Sequence, residues 1–160
     1  MERKTDLDKD IARVLVSAEE IEALTEKIAD QIDHDYRGSG KRLLLLGILK
    51  GSVVFMGELM KKMTIPVEID FMKVSSYGSA TTSSGRTLSY LKEYLELGGA
   101  HSVRTCTMLD KPSRREVDFT PDYRGMEIPD EFVVGYGLDY AEQYRALPYV
   151  GILKPEIYKK

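Results

Sequence analysis

With 160 residues the chain has material for one domain, since two separate cores would each be unusually small. Apolar residues at 42% and charged residues at 31% describe an ordinary globular protein. Lys and Arg number 23 against 26 Asp and Glu, and the resulting net charge of −3 excludes general nucleic-acid binding while leaving room for a local patch that grips phosphates. One cysteine, Cys106, excludes an intrachain disulfide, and His34 and His101 alone cannot complete a clustered Cys/His zinc site. The longest apolar run, Leu43 to Leu49, is too short to span a bilayer, and the charged first ten residues do not read as a signal peptide. The expectation is a soluble cytoplasmic protein with one domain over residues 1–160 and neither membrane nor nucleic acid as partner.

In chain order, Ile11 to Val16 is a short β-rich stretch. Ser17-x-x-Glu20 then forms a capping box, and Ile21, Leu24, Ile28 and Ile32 follow at helical spacing, predicting a helix from Ala18 to Asp35 that stops at Gly38-Ser39-Gly40. Leu43 to Leu49 is continuously apolar, the pattern of a strand covered on both faces. Phe55, Met56, Leu59, Met60 and Met63 mark a second helix, and Pro66 opens a strand in which Val67, Ile69 and Phe71 alternate with Glu68 and Asp70. Strand, helix, strand over some thirty residues is a βαβ unit and requires parallel strands. Ser75 to Gly85 is small, polar and glycine-spotted, so a mobile loop is expected over about 75–86. Leu88, Leu91 and Leu95 predict a helix closed by Gly98-Gly99, followed by strands at Val103–Leu109 and Phe132–Tyr136, a short helix over Asp139–Leu147 and a last strand at Tyr149–Leu153. The fold class is α/β.

In such sheets ligands bind beyond the carboxyl ends of the strands. Leu49-Lys50-Gly51-Ser52 stands there, a glycine turn entering a helix N-terminus with a lysine beside it, which suits a phosphate; many βα turns share this pattern. Lys111 follows a strand directly and could reach the same crevice, although on spacing alone it reads better as a solvated lysine in the cluster Asp110, Lys111, Arg114, Arg115, Glu116. Phe132 reads as plain core, Arg145 as a surface charge on its short helix, and Tyr77 as an aromatic on a loop that could serve as a lid.

The stretches LLLLGILKGSVVFMGELM, VEIDFMKVSSYGSATTSSG, RTLSYLKEYL, CTMLDKPSRREVDF and IPDEFVVGYGLDYAEQYRALPYVGILKPEIY together resemble the hypoxanthine-guanine phosphoribosyltransferases, across nearly all of Ile11 to Tyr158. The resemblance implies a three-layer type I phosphoribosyltransferase-like fold with a parallel sheet. It also implies purine salvage in a homo-oligomer that requires Mg²⁺: transfer of 5-phosphoribosyl from phosphoribosyl pyrophosphate to hypoxanthine or guanine, giving IMP or GMP and pyrophosphate. By the same resemblance Lys50 and Gly51 hold pyrophosphate, with a cis peptide at Leu49-Lys50, and Arg115 and Arg145 are pyrophosphate-binding arginines. Ser76 and Tyr77 belong to a lid that keeps water from the reaction centre. Lys111 donates to the purine O6, Phe132 stacks on the base, Val133 reads its edge through the backbone, and Asp139 is the carboxylate on the magnesium side.

The chain departs from this pattern at one place. Family members carry, ahead of the helix that begins near Arg86, a buried strand ending in two adjacent acids and then an Asp-Thr-Gly phosphate loop; here TTSSG runs straight into RTLSYL. Only Gly85, Arg86 and Thr87 can match the tail of that loop. The usual general-base Asp has no counterpart, and one core strand of the sheet is expected to be absent. Two readings follow: a purine phosphoribosyltransferase by descent, or a catalytically impaired remnant or deletion variant that binds purine or a partner subunit without turnover.

Overall fold

The structure, a computed structural model, describes residues 4–74 and 85–159. Its contacts gather into two compact units, residues 1–73 with 131–160 and residues 74–130.

The first unit begins with β1 (Ile11–Val16) and α1 (Ala18–Tyr36). The Ser17 hydroxyl caps α1 by accepting from the Glu20 N–H at 3.1 Å, as its sequence signature predicts, and Ile21, Ile28, Ala29 and Ile32 form the buried face. The βαβ unit follows as β2 (Leu44–Leu49), α2 (Val53–Lys62) and β3 (Glu68–Lys73), with β2 and β3 parallel in the register Leu44 to Glu68 through Leu49 to Lys73. Asp33 near the end of α1 accepts from the backbone N–H and the hydroxyl of Thr64, tying α1 to the turn before β3. The chain returns to this unit with β6 (Val133–Val134), β7 (Val150–Leu153) and the short α4 (Pro155–Tyr158). Strands β1, β7 and β6 make an antiparallel sheet in that order. Its core is Val134, Tyr144, Leu147 and Leu153, flanked by Leu7, Ile11, Tyr140, Tyr149, Ile157 and Tyr158.

The second unit contains α3 (Arg86–Leu97), β4 (Cys106–Asp110) and β5 (Tyr123–Glu127), with β4 and β5 parallel. Helix α3 starts at Gly85, whose φ of +84° suits glycine, and closes at Gly98 as expected. Its stripe is thinly covered: Leu91 is its one buried residue.

Three expectations need correction. The apolar run of β2 predicted burial on both faces, yet Leu44 and Leu49 are 51% and 38% exposed; among the described residues β2 pairs with β3 alone, which leaves its other edge without a neighbour to cover it. The helix expected over Asp139–Leu147 is a series of tight turns instead. Tyr136, Ala141, Glu142 and Tyr144 all have positive φ, which a right-handed helix cannot contain. And the predicted elements include no strand over Tyr123–Glu127, yet β5 pairs with β4 there because Gly125 lets the backbone approach: a Cβ on it would collide with the carbonyl of Met108.

Candidate functional site

In the first unit the β2–α2 turn and the 135–145 turns are brought into contact through their glycines. A Cβ on Gly51 would stand 3.6 Å from the Leu138 side chain, and one on Gly137, where φ is +96°, would collide with the carbonyl of Gly51. Hydrogen bonds between Gly135 and Leu138, from the Tyr136 N–H to the Leu147 carbonyl at 2.8 Å and from the Gly137 N–H to the Arg145 carbonyl at 3.0 Å hold the turns in shape. The Leu49-Lys50 peptide is cis, as the resemblance implied.

Lys50, Gly51, Asp139 and Arg145, separated by up to 95 positions, thus share one cradle. Arg145 donates through Nη1 to the carbonyl of Gly137 at 2.6 Å, while its Nη2 lies 3.4 Å from Asp139 and 3.7 Å from Glu142. Its Nε is buried and has no partner. A buried donor left in that state is costly unless a ligand supplies the acceptor. The Lys50 ammonium lies 3.1 Å from the Glu142 carboxylate, and the Glu142 N–H donates to Asp139 Oδ2 at 2.9 Å. Two cations beside the start of α2, with a carboxylate at hand, can accept a polyanion accompanied by a hard cation. Glu142 is a functional neighbour that the sequence does not single out: the spacing Asp139-x-x-Glu142-x-x-Arg145 makes these three neighbours even on a helix, but its contact with Lys50, 92 positions away, depends on the fold.

Phe132 is not plain core. It is 38% exposed, stacks on Tyr158 with ring centroids 4.7 Å apart and meets Tyr140 edge-on at 5.6 Å. An aromatic braced on one side and partly open is fit to receive a planar ligand. Val133 beside it pairs with Ile152 in the antiparallel sheet.

In the second unit Lys111 follows β4 directly, half-buried, and its carbonyl accepts from the Arg114 N–H at 3.0 Å. Arg115 pairs with the buried carboxylate of Asp110, which Arg124 also reaches at 3.2 Å, and its guanidinium lies over the Phe119 ring. The sequence reading missed this pairing of Asp110, which depends on β5 carrying Arg124 alongside β4. Gly85 packs under the Arg115 stem, where a Cβ would stand 3.1 Å from Cδ. Arg86 donates to Glu116 at 2.6 Å, and Thr87 is half-buried in the first turn of α3. Ser76 and Tyr77 lie outside the described residues. Cys106 is inert at neutral pH, burial pushing its thiol up to about 12. Among the described residues there is no cluster of three His, Cys, Asp or Glu side chains fit to hold a metal by protein ligands alone, and no helix long and apolar enough to cross a membrane.

Against known proteins, the phosphoribosyl transferase domain model matches residues 15–84 and 81–141, two stretches that meet at 81–84. The hypoxanthine-guanine phosphoribosyltransferase of Streptococcus mutans is 45% identical over 96% of this chain and 99% of its own length, and that of Lactococcus lactis is 48% identical over 96% and 97%. A crystal structure of a hypoxanthine phosphoribosyltransferase from Staphylococcus aureus matches with a TM-score of 0.92 at 39% identity, covering 99% of this chain and 100% of that one. Both curated alignments run over 181 positions, whereas 96% of 160 residues is about 154, so about 27 positions of each face a gap in this chain.

Proposed function

This chain belongs to the phosphoribosyltransferase family and stands among the hypoxanthine-guanine phosphoribosyltransferases of purine salvage, and from that membership we propose a division of labour among its residues. The chemistry is attack by N9 of hypoxanthine or guanine on C1 of phosphoribosyl pyrophosphate: the C1–N9 bond forms, the C1–oxygen bond breaks to release pyrophosphate, and the purine's imidazole proton passes to water, giving IMP or GMP. Lys50 and Arg145 take the negative charge that develops on the leaving pyrophosphate, with the buried Arg145 Nε as a donor awaiting an acceptor. Gly51 keeps the turn open for the phosphate oxygens, and Arg115 adds a second guanidinium. Phe132 stacks on the purine, Val133 meets its edge through the backbone, and Lys111 donates to O6. Adenine is refused because its 6-amino group would present donors to a donor. Gly85, Arg86 and Thr87 keep part of the ribose-phosphate site. Ser76 and Tyr77 supply the lid.

The Asp139 carboxylate fits Mg²⁺, which binds hard oxygens and commonly takes one or two carboxylates together with substrate phosphates. When bound, the ion would neutralise and orient the pyrophosphoryl oxygens; Asp139, a third exposed at the mouth of the cradle, is the residue that would hold it. Phosphoribosyl pyrophosphate is too charged to leave the compartment where it is made, so the proposed location is the cytoplasm, and the proposed assembly is a homo-oligomer.

The gathering of Lys50, Gly51, Asp139 and Arg145 into one cradle carries this reading. A second reading rests on a specific observation: the family match breaks at residues 81–84 and about 27 aligned positions have no counterpart. On that reading the chain binds its ligands and turns over negligibly. Titration calorimetry with guanine and with pyrophosphate, beside a steady-state assay on mass-verified protein, decides between them. Binding of both with no turnover supports the second reading, and turnover supports the first. Absence of both binding and turnover overturns the site. Lys111→Ala should weaken guanine binding by about 1.5–3 kcal/mol, the worth of a charge-assisted hydrogen bond.

A further inference from the structure

Glu142 is the residue of the cradle to which no role has been given. Its Oε2 stands 3.1 Å from the Lys50 ammonium and 3.7 Å from Arg145 Nη2, so a single carboxylate oxygen lies between the two cations. Its placement is dictated by backbone. Tyr140 and Gln143 exchange N–H to carbonyl bonds at 3.1 and 2.9 Å and close a two-residue turn in which Ala141 and Glu142 have φ of +51° and +64°. A tight turn with both central φ positive normally selects Asn-Gly, because other L-residues are strained there. Holding Ala-Glu in this conformation instead, with the Glu142 N–H on Asp139, aims the Glu142 carboxylate at Lys50 and Arg145. The ion pair cannot be what holds the turn: both side chains of the Lys50–Glu142 pair are more than half exposed, and exposed pairs contribute little to stability.

We infer that Glu142 is an internal counter-anion for the pyrophosphate position: it keeps Lys50 and Arg145 gathered while the site is empty, and a pyrophosphate group must displace it to bind. This rests on the reading of Lys50 and Arg145 as pyrophosphate cations. Glu142 is a positioning residue, acting through the two cations. Its carboxylate competes with the leaving group for them, which weakens product retention.

The test is titration of sodium pyrophosphate, with and without Mg²⁺, into the 160-residue protein and three variants. Glu142→Gln keeps the shape and removes the charge, and pyrophosphate should bind about fivefold tighter, the effect of removing one like charge at contact distance in a hydrated site. Affinity should also fall more steeply with added salt than in the parent, because without the carboxylate two uncompensated cations meet the ligand. Ala141→Gly relieves the turn and keeps the carboxylate, so its affinity should stay within about twofold of the parent; a purely structural role for the turn would move it as much as Glu142→Gln. Unchanged or weaker binding in Glu142→Gln overturns the inference. Lys50→Ala tests the underlying reading separately: it should weaken binding in every background, and if it does not, the pyrophosphate assignment fails whatever Glu142 does.

Discussion

The two units of the molecule differ in how they are held together. Among the described residues, thirteen buried apolar side chains lie in the unit formed by residues 1–73 and 131–160, six of them fully enclosed; the unit of residues 74–130 has Leu91, Met108, Tyr123 and Ile128, each still 5–7% exposed. The first unit is a packed core with a cradle built on it. The second leans on charge, Arg115 and Arg124 converging on the buried Asp110. The two stretches of the family match meet at 81–84, beside the start of α3, whose one buried residue is Leu91. The proposed pyrophosphate cradle and the more enclosed core lie in the same unit, both built from segments away from 81–84 in the sequence.

The largest effect expected is from repairing the gap. Grafting the segment of the Streptococcus mutans relative that faces it into the Gly85-Arg86 junction should raise steady-state turnover by about 10³-fold or more, since general acid–base help alone is worth ~10²–10⁴. Parent protein that already turns over at about 1 s⁻¹, ordinary for an enzyme, would break the comparison outright.

Core truncations sharpen it. Leu153→Ala, in the enclosed core of the first unit, should cost about 4 kcal/mol in denaturant unfolding, and Leu91→Ala, on the thinly covered α3, about 2, because a loosely packed site relaxes around the space it is given. Equal costs would mean that the two cores are equally tight. Amide exchange offers the same contrast without mutation: β4 should open more readily than β7.

Asp110→Asn addresses the charged centre of the second unit. Losing the carboxylate that Arg115 and Arg124 share should cost about 1.5–3 kcal/mol. Cys106 lies on the same strand with its thiol pushed up to about 12 by burial, so alkylation at pH 8 reports opening of that strand. The variant should react at least about tenfold faster than the parent, a tenfold change corresponding to 1.4 kcal/mol. Equal rates would show that Asp110 does not hold β4 in place.

The elements legible in the sequence were those specified locally. Ser17 and the 3.6-residue stripe mark α1, and Gly98 marks the end of α3; both follow from neighbours in the chain. What escaped depends on partners far away. Strand β5 exists because Gly125 admits the Met108 carbonyl, a fact about β4 rather than about YRGME. The turns over Asp139–Leu147 have helix-compatible composition, and only packing against the β2–α2 turn, with Gly137 on Gly51, selects positive φ at Ala141 and Glu142. The Lys50 and Arg145 roles came from resemblance; their gathering by these turns, and Glu142 between them, needed the fold. The exposure of Leu44 shows the converse: its sequence still describes a strand covered on both faces, although the described structure gives β2 one neighbour.

The smallest effect concerns alkaline pH and the first unit. Tyr144 is buried in the core at 5% exposure and donates its hydroxyl to Asp10 at 2.8 Å. Burial first, then the bond to Asp10 and that carboxylate's charge, push its pKa above the ordinary tyrosine value. For a group whose folded pKa is raised, the folded state keeps its proton where the unfolded chain has lost it. The stabilisation is therefore complete below the unfolded value of about 10 and declines as pH rises from there toward the folded value. Tyr144→Phe should cost about 1 kcal/mol at pH 7, the hydrogen bond to Asp10, and should flatten the decline of unfolding free energy above about pH 10. Tyr136, which burial also pushes up, supplies a residual slope that the variant retains. A Phe variant with the parent's alkaline slope would show that the proton on Tyr144 is not held by the fold, and that the core of the first unit is wetter around Asp10 than its packing implies.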